Sequence, residues 1–112
     1  MNITEKLSEY GYRLYDNQDW GAVGGKTMKY QRRVDGMFPD APLCNMNERL
    51  FINIAAVTFS AITTFEIQVC HENIKEDWCD LKIYAIPEVK FFKNLVEYEK
   101  KLIDLWKLFN IL

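Results

Sequence analysis

Pro87–Leu112 reads PEVKFFKNLVEYEKKLIDLWKLFNIL, and this stretch sets the fold class. Phe91, Leu95, Tyr98, Leu102, Leu105, Phe109 and Leu112 recur at steps of four and three, which stacks side chains on one helix face. Phe92, Val96, Ile103 and Trp106 run beside them, so the apolar stripe is broader than a coiled-coil seam. The spacing predicts one long helix over 87–112. Burying its seam would contribute about 10–20 kcal/mol before entropy, enough to anchor a small domain. Lys90, Lys93, Glu97, Glu99, Lys100, Lys101, Asp104 and Lys107 keep this helix out of lipid.

Upstream of the helix, the periodicity changes from helical to alternating. Glu48–Phe59 alternates Leu50, Ile52, Ile54 and Ala56 with Phe51, Asn53, Ala55 and Val57, so both faces are mostly apolar and a central strand is expected. Phe65, Ile67 and Val69 against Glu66 and Gln68 give a strand with one buried and one wet face. Leu81, Ile83 and Ala85 against Asp80, Lys82 and Tyr84 give the next. Another strand is expected near Thr27–Val34, with Met28, Tyr30 and Val34 on one side and Lys29, Gln31 and Arg33 on the other. Tyr12–Tyr15 suits a brief strand, and Asp16–Lys26 carries turn chemistry that predicts an exposed loop.

At the start of the chain, Asn2 and Glu5 suit a capping box for a short helix whose Ile3, Leu7 and Tyr10 share a face, with Gly11 as its stop. Together these signals predict an α+β fold: an antiparallel sheet of three to five strands, a short N-terminal helix, and the long C-terminal helix packed on one face. Residues 1–112 read as a single domain. A helix of about 23 residues spans roughly 35 Å, whereas an eight-residue strand spans roughly 27 Å. The helix end should therefore overhang the sheet, which makes Leu108, Phe109, Ile111 and Leu112 a candidate interface between two copies.

With 112 residues, 49% hydrophobic and 14% aromatic, the chain has enough apolar material for one packed core. Net charge is −2, with seven bases and seven acids in residues 1–50 and seven bases and nine acids in 51–112. Neither half carries a basic field of the kind that holds a phosphate backbone, and Lys29, Arg32 and Arg33 are too few, which disfavours direct nucleic-acid binding. Neither the opening residues nor the most apolar run, Leu50–Ile62, reads as a leader or a membrane span. An odd count of cysteines, Cys44, Cys70 and Cys79, favours thiols in a reducing cytoplasm.

Several reactive groupings come close to a known pattern without completing it. Gly21-Ala22-Val23-Gly24-Gly25-Lys26-Thr27 suggests a phosphate-binding loop, but the glycine needed five places before Gly25 is Trp20, and a strand pattern follows where a helix is required. Cys70-His71 with Cys79 lacks the paired spacing of a structural zinc site. His71 is the sole histidine, so a nucleophilic triad would need Cys44 or Cys79 beside it, with Glu72 or Asp80 as orienter. No catalytic residue, cofactor or metal is assigned on these grounds.

What remains is contact chemistry. Glu76, Asp77 and Asp80 surround Trp78, and Asp16 and Asp19 flank Trp20; a rigid aromatic among acids suits a hot spot against a basic partner. If both loops met at one end of the sheet, they would form one acidic patch with aromatic anchors. The format is that of small phage accessory proteins, immunity proteins and other intracellular inhibitors. The expectation is thus a non-enzymatic protein that binds a protein partner, such as a nucleic-acid enzyme, a host-defence protein or a toxin. A self-associating module and a small hydrolase or ligand-binding domain using His71 are the alternatives.

Overall fold

The computed structural model describes residues 2–19, 24–34, 50–71 and 82–111. Their order is α1 (Ile3–Glu9), β1 (Arg13–Asp19), β2 (Gly25–Arg33), β3 (Leu50–Phe59), β4 (Ile62–His71), β5 (Lys82–Pro87), α2 (Glu88–Lys93) and α3 (Leu95–Ile111). The strands form one antiparallel meander in the order β1-β2-β3-β4-β5, with β3 central. The helices pack against one face of this sheet, as the C-terminal periodicity predicts.

Local chemistry sets the start. Asn2 caps α1 by accepting a hydrogen bond from the Glu5 backbone N–H at 2.8 Å, and its amide donates to Glu5 Oε1 at 3.1 Å. The helix stops where Gly11 adopts φ +89°, letting the Tyr12 N–H reach back to the Leu7 carbonyl. A side chain at residue 11 would also crowd Arg32, whose Cδ lies 3.1 Å from an added Cβ.

The core lies between sheet and helices. Tyr30, Ile52, Ile54, Phe65, Ile67 and Val69 from the strands meet Leu7, Phe91, Leu95, Leu102 and Trp106. Phe65 and Phe91 stack at 4.3 Å between centroids, and Phe92 meets both edge-on at 5.4 and 5.3 Å. Such pairs contribute about 0.5–1.5 kcal/mol beyond their burial.

Three expectations need correction. Among the described residues of Asp16–Lys26, the stretch read as a loop, all but Gly24 are strand, because β1 runs to Asp19 and β2 begins at Gly25. Nearly every β1 side chain is exposed, so this edge strand shows no apolar alternation. The C-terminal segment is two helices, not one. Asn94 interrupts them with φ −117° and ψ 16°, and its side-chain amide bonds the Lys90 carbonyl at 3.2 Å. Finally, the buried line on α3 is Leu95, Glu99, Leu102 and Trp106, while Val96 is 63% exposed and Leu105 only half-buried. Leu108, past the end of that line, is 56% exposed; the side chains of Phe109 and Ile111, and all of Leu112, lie outside the described residues.

Candidate functional site

Strand alternation turns every second residue away from the helices, and the register shows which of them share a row. Gln31, Asn53, Gln68 and Lys82 lie side by side across β2 to β5, with Arg13 level on β1. Asp16, Lys29, Ala55 and Glu66 form the neighbouring row. Beyond it come Gln18, Thr27, Val57 and Thr64, and then Phe59 opposite Ile62. The face away from the helices is therefore polar in its middle and apolar at one end.

A cleft of about 310 Å³ opens in the middle, lined by Tyr15, Thr27, Lys29, Asn53, Glu66 and Gln68 among others. Asn53 and Gln68 are only 5% and 6% exposed, yet Asn53 Oδ1 and Gln68 Oε1 have no hydrogen-bond partner. Buried polar oxygens are normally satisfied, so two unmet ones on adjacent strands mark this spot as unusual. Lys82 reaches Glu66 at 3.1 Å and sits 5.0 Å above the Tyr84 ring, which fixes the cleft's far rim.

The apolar end is a tight hairpin. Ser60 and Ala61 make the turn with φ 51° and 64°, a conformation that L-residues adopt at about 1 kcal/mol or more each. Beside them Phe59 and Ile62 are 48% and 68% exposed, and Thr58 and Thr63 hydroxyls bond each other at 2.9 Å on the other face. The turn thus holds two large apolar side chains out in water on a short, braced hairpin.

The residues singled out from sequence are dispersed. Asp16 faces the cleft side level with Lys29, whereas Asp19 belongs to the opposite face, level with Lys26. These two acids therefore make no common patch, and each has a lysine as its cross-strand neighbour. Trp20, Glu76, Asp77, Trp78 and Asp80 lie outside the described residues, as do Cys44, Glu72 and Cys79. Asp19 leaves the sheet level with Thr58, while His71 leaves it level with Leu50, eight positions along β3 and roughly 26 Å away. The two connections start from opposite ends of the sheet.

Gly25, Lys26 and Thr27 open β2, so the helix that a phosphate-binding loop requires does not follow them. Cys70 is a buried thiol on the Gln68 side of β4. Among the described residues, no three of His, Cys, Asp and Glu gather closely enough to hold a metal ion. Among them too, no helix is long and apolar enough to cross a membrane.

One polar cluster escaped sequence reasoning. Arg32, on the helix side of β2, meets Glu99 of α3 at 2.6 Å, and the Tyr12 hydroxyl donates to the other Glu99 oxygen at 2.8 Å. The guanidinium lies 5.3 Å over the Tyr12 ring. Burial, reinforced by the Glu99 carboxylate, raises the Tyr12 phenol far above its ordinary value of 10.0. This cluster ties helix to sheet from within; it does not face the cleft.

No family model matches the chain, and no curated protein or solved structure matches it either. The surfaces just described are therefore the basis for a functional reading.

Proposed function

We propose that this chain is a non-enzymatic binding protein that acts by occupying a protein partner's surface, in the manner of an inhibitor or neutraliser. The observation that carries the reading is the Ser60–Ala61 hairpin with its exposed pair, Phe59 and Ile62. A turn of Asn-Gly would avoid the left-handed strain, and polar residues at 59 and 62 would suit water better. Instead the hairpin presents two apolar anchors at the end of the open face. Covering them would contribute about 2–4 kcal/mol to an interface. The β1–β2 connection containing Trp20 starts from the same end of the sheet. A nucleic-acid enzyme, a host-defence protein or a toxin is the kind of partner that such occupation would silence.

Affinity purification from the organism that encodes the chain tests this, using the wild type beside F59S/I62S. The expected outcome is a partner retained by the wild type and lost from the double variant, with the thermal midpoint of the variant unchanged. Equal retention by both would count against the hairpin.

A second reading, self-association, is favoured by α3. Val96 and Leu108 are exposed, and a shallow groove of about 410 Å³ runs along Glu97, Lys101, Leu105 and Leu108. Two copies could bury this strip around a two-fold axis.

A further inference from the structure

We infer that the cleft on the sheet face away from the helices is a binding site for a small, uncharged polyhydroxylated ring of monosaccharide size, a role separate from the hairpin. Asn53 Oδ1 and Gln68 Oε1 are buried, belong to residues paired across β3 and β4, and have no donor. A ligand that satisfies them must bring O–H or N–H groups; a carboxylate or phosphate, which only accepts, would leave them unmet.

Charge narrows the choice further. Lys29 and Lys82 are balanced by Asp16, level with Lys29, and by Glu66, bonded to Lys82 at 3.1 Å. Each lysine of the lining thus has a carboxylate beside it, Glu66 within the cleft and Asp16 next to Lys29 on β1, so neither an anion nor a cation is favoured. The floor is built from Ala55 and Val57 with Thr27 beside them, a small-residue surface suited to the C–H groups of a saturated ring. Tyr15 stands at the rim. At about 310 Å³ the space lies at the lower end for ligand pockets, enough for a single ring.

Hydroxyls fit the remaining requirement. Thr27, Gln18 and the lysines offer donors on the same lining that carries the two unmet acceptors, so the ligand must both donate and accept around its edge. Each hydroxyl of a polyol does both, whereas a nucleobase presents a fixed in-plane pattern and would want an aromatic floor to stack on. In the bound state the two amides turn into the cleft that their side chains line, so that ring hydroxyls donate to Asn53 Oδ1 and Gln68 Oε1, which are covered in the free chain, and accept from the surrounding donors. Until then the two amides cost stability, as groups shaped for a ligand commonly do.

Two measurements on the full chain test the proposal. In the first, N53L and Q68M replace each amide with an apolar group of similar shape. Both variants should melt no lower than the wild type, because the oxygens they remove make no bond in the fold. A clear fall in the midpoint of both would show that the amides hold the structure together and would overturn the inference. In the second, the ¹⁵N-labelled chain is titrated with D-glucose, D-galactose, D-mannose and N-acetylglucosamine, with adenine and acetamide as contrasting neutral probes. At least one sugar should give saturable shifts at Thr27, Lys29, Ala55, Glu66 and the side-chain amides of Asn53 and Gln68. In Q68M the affinity should drop by about tenfold or more. Saturable shifts with adenine or acetamide but with no sugar, or none with any probe, would overturn it.

Discussion

Glu99 is the residue on which sheet and helix agree. Its carboxylate is nearly buried and accepts from both Arg32 and Tyr12, so the partly buried guanidinium is neutralised where water is scarce. Replacing it by Gln keeps the shape but leaves Arg32 without its counter-charge. We expect E99Q to lose about 2–4 kcal/mol in urea unfolding, and R32M/E99L to recover most of that loss. Tyr12 makes the cluster sensitive to alkali. Its folded-state phenol holds the proton well above the unfolded value of 10.0. The folded chain therefore binds more protons than the unfolded chain once pH passes 10, so stability is full below that point and declines above it. Y12F should cost about 1 kcal/mol at neutral pH and show a shallower alkaline decline, measured as unfolding free energy between neutral and strongly basic buffer.

At the scale of elements, the hairpin and the helix junction are the places where sequence and geometry pull against each other. Ser60 and Ala61 occupy left-handed positions better suited to Asn and Gly. S60N/A61G should therefore raise the thermal midpoint by about 3–6 °C while leaving Phe59 and Ile62 in place. The central strands were legible because burial imposes a strong pattern: Ile52, Ile54, Phe65 and Ile67 are all fully covered. β1 was illegible for the converse reason. An edge strand wet on both sides has no apolar rhythm, and Asp16-Asn17-Gln18-Asp19 looks like a turn. The break at Asn94 had a signal in sequence, since Asn competes for backbone carbonyls, but the flanking apolar residues masked it. The Arg32–Glu99 pair had none, because the partners stand 67 positions apart. Nor could the cleft be foreseen: Asn53 and Gln68 become neighbours only through the β3–β4 register.

Among the described residues the layout is asymmetric: the helices seal one face of the sheet, and the other face is polar in the middle and apolar at the Ser60 end. α3 adds a second surface, the shallow groove that ends at Leu105 and Leu108, with Val96 exposed on another side of the helix. Sedimentation of the wild type and V96S/L108S at micromolar concentration separates its roles. If α3 joins two copies, the wild type sediments as a dimer and the variant as a monomer; a monomeric wild type removes self-association as a reading. The most direct measurement of how the chain works is site-specific photo-crosslinking in lysate of the encoding organism, with the reactive group placed at Ile62 in one sample and at Leu108 in another. The expected result is an adduct between Ile62 and a different protein. An adduct only between copies through Leu108, with none from Ile62, would contradict the assignment of the hairpin as the working surface.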